Sequence, residues 1–312
     1  MKIKILASLG AAAMALTMSA TVSQAGYMQP GETMGISLLS PLPEGVYAGD
    51  LENYGRSPNL SPGSNVGLGV NIPVLIWSTP YSFYNTRLEV LAAVPFAHLD
   101  GAGLDRIGFL GAAVGPLLAH DFGNGLTGGL GAIFHTEDMS SNIQDLSGRT
   151  RPAADFRESL QYVIPGSGPF GGITLIENAA FTSCLCSNYG PLSVTPDDAV
   201  VTVQNDMFAG DFSVLKTFQK FSFGFVGYGN IDTNNRAHLA GPNPREKNVA
   251  LGGLVGYDFG RFSVQAIVTR TVSGSNSIVP TVSAGEETRG WFRVSVPLYI
   301  APPPSAPVVA RY

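Results

Sequence analysis

The stretch GLVGYDFGRFSVQAIV, Gly253 to Val268, decides how this chain is read. After its centre, Phe262, Val264, Ala266 and Val268 alternate with Ser263, Gln265 and Ile267. A period of two is the mark of a strand. At the centre stands Asp258-Phe259-Gly260, where glycine permits the positive φ of a tight hairpin. An earlier stretch, LLAHDFGNGLTGGLGAIF from Leu117 to Phe134, repeats the arrangement around Asp121-Phe122-Gly123. The same tripeptide binds metal in protein kinases, but there it accompanies a Gly-rich loop, a Val-Ala-Ile-Lys strand and a His-Arg-Asp loop. This chain has none of the three. The repeated tripeptide therefore reads as two hairpin turns.

Working outward, the same alternation recurs. Phe292, Val294, Val296, Leu298 and Ile300 share one face, while Trp291, Arg293 and Ser295 share the other. Leu88, Val90, Ala92, Val94 and Phe96 oppose Arg87 and Glu89, and Phe208, Phe212 and Val214 oppose Asp211 and Ser213. Twelve strands are expected, over 44–56, 65–79, 86–100, 106–122, 126–138, 154–164, 172–183, 200–218, 221–232, 248–259, 262–273 and 288–300. The even-numbered connections are mostly short, as in GNG, QK and GR. The odd-numbered ones are mostly long, as in CLCSNYGPLSVTPDDA and TNNRAHLAGPNPREK. Short turns at one end and long loops at the other are the habit of a membrane barrel.

Composition agrees. Charged residues make up 13% of the chain, about half the usual share of a soluble domain, and there are 38 glycines. Beyond Val22 no apolar run is long enough for a spanning helix. A chain too apolar for water yet without a spanning helix fits a barrel with an apolar lipid face and a polar lumen. The start, MKIK followed by ILASLGAAAMALTMSATV and SQA, has the layout of a signal peptide cleaved after Ala25. The expected organisation is a signal peptide at 1–25, a lead-in or plug at 26–43, a barrel at 44–300 and a proline-rich tail at 301–312. The fold class is all-β, a transmembrane antiparallel up-and-down barrel.

The segments DFGNGLTGGLGAIFHTED and FSFGFVGYGNIDTNN…REKNVALGGLVGYDFGRFSVQAIVTRTVSG…RGWFRVSVPL resemble the "MetA-pathway of phenol degradation" family. The earlier GVYAGDLENYGRS and LIWSTPYSF…RLEVLAAVPFAHLD are similar to its N-terminal pattern. The resemblance implies a Gram-negative outer-membrane barrel linked to uptake of aromatic or other hydrophobic compounds, and it carries over no catalytic residue. Two features depart from it: the loop around Cys184 and Cys186, and the tail APPPSAPVVARY. With that tail present, Tyr299 stands in for the aromatic on which many such barrels end.

Arg in the bilayer midplane costs roughly 2–4 kcal/mol, so polar side chains on the strands should point inward. Arg87, Glu89, Arg157, Gln161, Asp211, Gln265 and Arg293 are the candidate lumen-lining residues, either as a structural network or as the walls of a solute path. Glu158 and Glu177 fit this facing badly. Phe122, Tyr257 and Phe259 are expected at the membrane–water interface, as aromatic girdle residues.

The sequence shows no pattern of a catalytic or metal site. The histidines, His98, His120, His135 and His238, have no Ser two residues away on the same strand face, and no Gly-x-Ser-x-Gly elbow occurs. No metal spacing is evident. Cys184 and Cys186 read as a loop disulfide or free thiols rather than a metal pair. The net charge of −5 without a basic cluster argues against nucleic acid. No cofactor is expected; the expected partners are membrane lipid and a small hydrophobic or aromatic solute. Twelve strands should enclose a narrow lumen, between the filled interior of eight and the water channel of sixteen. The expected function is a passive channel for small hydrophobic or aromatic molecules. The alternative is a structural or adhesive barrel that binds a partner through its long loops, 233–247 among them.

Overall fold

The computed structural model describes residues 28–61, 64–101, 104–136, 152–166, 168–185, 206–233, 247–275 and 287–302. The expected signal peptide at 1–25, Cys186, most of the long connections and nearly all of the tail lie outside them. Among the described residues fourteen strand segments run in order: β1 (Gly45–Ser61), β2 (Ser64–Phe83), β3 (Thr86–Ala93), β4 (Phe96–Gly101), β5 (Leu104–Phe109), β6 (Ala113–Gly123), β7 (Leu126–His135), β8 (Ala153–Val163), β9 (Ile173–Cys184), β10 (Met207–Phe218), β11 (Phe221–Asp232), β12 (Lys247–Asp258), β13 (Ser263–Ser275) and β14 (Thr288–Ile300).

β3 and β4 are two halves of one strand, both paired with β2. β5 and β6 are likewise two halves of the next. The breaks are matched. Pro95 has no N–H to donate, Leu110 N donates to Pro95 O at 2.8 Å, and Gly111 opposite takes φ +85°. Twelve antiparallel staves result. β1 pairs with β14 from Gly45↔Ile300 to Arg56↔Thr288 and with β2 from Gly45↔Ser78, so the sheet closes on itself. Closure leaves no sheet edge along that seam, which is the requirement lipid imposes.

The hairpin turns are those expected. Asn124 and Gly125 take φ +54° and +82°, and Tyr84 and Asn85 take +45° and +60°, the left-handed pair of a type I′ turn. In both Asp-Phe-Gly triplets the aspartate side chain accepts from the glycine N–H, Gly123 to Asp121 at 2.8 Å and Gly260 to Asp258 at 2.6 Å. The tripeptide builds a turn.

Most outward-facing positions are apolar and bare: Leu75, Trp77, Leu118, Leu130, Phe156, Val214, Phe225, Val255, Val268 and Phe292 are all exposed. Such a belt is far larger than the apolar patch a soluble monomer tolerates, and in lipid it is the favourable face. Phe122 and Phe259 sit bare at the short-turn end, 54% and 49% exposed. Tyr257 packs edge-on against Phe221 and Phe259, each at 4.6 Å, and Phe259 stacks on Phe262 at 4.5 Å. The buried core is the inside of the barrel.

Candidate functional site

The inside of the barrel has two unlike walls. On β1 to β7 the inward positions are mainly aliphatic: Leu51 on β1, Val70, Ile72, Val74 and Ile76 on β2, Leu91 and Ala93 on β3, Ala113 and Leu117 on β6, Ile133 on β7. On β8 to β14 polar side chains are more frequent: Asp155, Arg157 and Ser159 on β8, Asn178 and Thr182 on β9, Asp211 and Ser213 on β10, Thr269 and Thr271 on β13, Arg289 and Arg293 on β14, all buried, standing among Ile176, Leu215, Val226, Tyr228, Leu254, Ile267 and Trp291.

Residues 28–43 run through the interior, bonding mainly to β8–β14 and, toward their end, to β7, β3 and β2. Thr33 Oγ1 donates to Asp211, and Gly35 N donates to Ser213 Oγ at 2.8 Å. Asn178 donates to Ile36 O at 3.0 Å and to Asp211 Oδ1 at 2.8 Å. The Ser37 and Ser159 hydroxyls meet at 2.8 Å, and those of Ser40 and Thr127 at 2.6 Å. Arg293 donates to Met34 O at 2.7 Å, to Glu32 O at 2.6 Å and to Gln265 Oε1 at 2.7 Å, and Gln265 donates to Gly35 O at 3.1 Å. Arg157 lies 2.6 Å from both Glu32 and Asp155. Asp155 also accepts from Thr182 at 2.6 Å and meets His135 Nε2 at 2.8 Å. Near the strand, Leu42 N donates to Glu89 Oε1 at 2.8 Å and Ser78 Oγ donates to Leu42 O at 2.9 Å.

Of the seven candidate lumen residues, the structure gathers Arg157, Asp211, Gln265 and Arg293 around the head of this inner segment. Glu89 stands at its base, Gln161 lines the cavity, and Arg87 donates to Thr79 O at 2.6 Å. Glu158 and Glu177 point outward: their neighbours Arg157, Ser159 and Asn178 are buried, and Glu177 and Leu160 are register partners on the outer face. The poor fit seen in the sequence was a true feature of the register. Glu32, His135, Asp155 and Asn178 complete the network and were not among the expected residues. Asp155 was reachable, since it stands one pleat from Arg157 on the same face.

The space left is a cavity of about 640 Å³ between the inner segment and the aliphatic wall. Val70, Ile72, Val74, Ile76, Leu91 and Ile133 line one side, Ile36, Leu38 and Leu42 the other, with His135, Arg157 and Arg293 also in the lining. It reaches Gly260, Phe262, Ser263, Val296 and Pro297. There β13 begins at Ser263↔Ser295, so β14 from Val296 to Ile300 has β1 on one side and no β13 partner on the other. The cavity thus extends to a notch in the wall at the short-turn end. Among the described residues no cluster of three or more metal-ligating side chains occurs.

Residues 194–279 match the family model described as "Putative MetA-pathway of phenol degradation", which bears out the resemblance read from the sequence. No curated protein matches the chain by sequence. Among solved structures, an outer membrane channel from Pseudomonas putida F1 superposes with a TM-score of 0.60 at 12% identity, over 86% of this chain and 99% of that one. The translocator domain of the autotransporter NalP from Neisseria meningitidis follows at TM-score 0.46 and 10% identity, over 83% and 90%. A mutant of the TodX monoaromatic hydrocarbon channel gives 0.44 and 8%, over 85% and 96%. The first likeness shows the fold, that of a Gram-negative outer-membrane barrel.

Proposed function

From an outer-membrane barrel that carries the phenol-degradation family pattern over residues 194–279, we propose a passive channel for small hydrophobic molecules, aromatic compounds among them. The observation that carries this is the aliphatic inner wall facing a cavity of about 640 Å³. A water-filled pore is lined by polar groups. Here most of the buried charged and amide groups stand on β8–β14, several of them engaged by the inner segment, and the open space lies against Val70, Ile72, Val74 and Leu91.

Apolar surface leaving water gains roughly 25 cal/mol per Å². A hydrophobic solute therefore partitions into this space, whereas a sugar finds few free hydrogen-bonding groups there. The notch beside Val296 and Pro297 offers the way out at the short-turn end. Movement needs no energy source beyond the concentration gradient.

The test is flux into vesicles bearing lipopolysaccharide, with phenol, laurate and a monosaccharide compared against protein-free vesicles. Phenol or laurate should cross faster with protein, the sugar not. Ile72→Asn with Leu91→Asn should suppress the hydrophobic flux while the barrel still inserts. Equal acceleration of the sugar would overturn the reading.

A further inference from the structure

The inner segment is bonded along its length, and this bears on how any solute passes it. Most of its polar atoms bond to β8–β14, while those at Ser40 and Leu42 bond to Thr127, Glu89 and Ser78 on β7, β3 and β2. Its side chains Ile36, Leu38 and Leu42 line the cavity opposite the aliphatic wall. Pulling it out would strip partners from Arg157, Arg293, Asp211 and Asn178, all buried. Uncompensated buried charge is among the costliest defects a protein can carry. Leaving it in place costs nothing, because the cavity already runs alongside it.

Resting on the channel reading above, we propose that residues 29–42 are a fixed selectivity element rather than a gate. The solute passes between Ile36 and Leu38 on one side and Ile72 and Leu91 on the other, and the segment stays where it is. The size of Ile36 and Leu38 then sets the width of the path. The element acts as half of the wall, and its polar face serves only to hold it.

A cross-link separates a fixed element from a moving one. Ser37 and Ser159 place their hydroxyls 2.8 Å apart, so Ser37→Cys with Ser159→Cys, in a background of Cys184→Ser and Cys186→Ser, can join the segment to β8. Mass spectrometry reports whether the disulfide has formed. Oxidised protein should carry phenol and laurate within about twofold of the reduced protein, as a path of unchanged cross-section requires. Loss of flux on oxidation, restored by dithiothreitol, would show that the segment must move and would overturn the proposal. Absence of hydrophobic flux even before oxidation would instead sink the channel reading, and this inference with it.

Ile36→Ala with Leu38→Ala tests the selectivity part. These truncations leave the polar anchors intact and should raise laurate flux several-fold relative to phenol. An unchanged ratio would remove these side chains from the path.

Discussion

Arg157 joins the barrel wall to the inner segment: one end of its guanidinium meets Asp155, the other Glu32. Asp155 is wholly buried and holds His135 and Thr182 as well. Truncating it leaves a buried cation short of a partner, and breaking a buried pair in this way costs about 3–5 kcal/mol. Asp155→Ala should therefore lower the stability measured by urea unfolding in lipid vesicles by that order. Ser159→Ala removes one hydroxyl contact and should cost about 0.5–1.5 kcal/mol. Glu158, the next residue but on the outer face, is expected to behave in the opposite way. A carboxylate facing lipid is unfavourable, though less so than the roughly 2–4 kcal/mol of a midplane arginine. Glu158→Leu should thus stabilise the barrel in vesicles; a loss of stability would mean that this face is not lipid-facing. The alternation around Arg157 was legible because a polar residue in an apolar strand can point only one way. Glu32, which meets Arg157, and His135, which meets Asp155, were not: they come from the lead-in and from another strand, and no local spacing connects them.

At the scale of the element, the hairpins were the most readable part. Their geometry favours glycine or asparagine at fixed places, and these stand at most of them in the sequence, although Tyr84 and Gln219 also take positive φ. Gly125 is the sharpest instance. It takes φ +82°, and a Cβ there would lie 2.5 Å from Val163 O. Gly125→Ala should therefore destabilise on the order of 1–3 kcal/mol, the usual cost of a strained backbone position, visible as a lower urea midpoint at unchanged slope. Two long strands read as continuous are each broken in the structure, at 94–95 and at 110–112. The alternation runs on through Pro95, so periodicity alone does not reveal the missing hydrogen bond. The aliphatic inner wall escaped notice for a related reason. In β2 the run Val70 to Trp77 is largely apolar on both faces, and a pattern of two identical faces does not say which of them looks inward.

For the whole molecule, the question is what twelve staves enclose. An interior of this size is too wide to be filled by wall side chains alone and too narrow for an open water channel without loss of hydrophobic character. The inner segment resolves this by covering the charged groups of β8–β14 and leaving open space against the aliphatic side chains of β2 and β3. Its removal should change the class of solute, not only the rate. Without residues 29–40, Arg157, Arg293, Asp211 and Asn178 lose the partners that now cover them, and water replaces the segment against them. Single-channel recording in planar bilayers should then show a several-fold rise in ion conductance, with hydrophobic selectivity reduced because the path has lost one apolar side. Laurate flux relative to the sugar should fall even as total permeability rises. If conductance stayed at the level of the intact protein, the segment would not be what keeps ions out, and the closure of the lumen would have to be sought at the long-loop end.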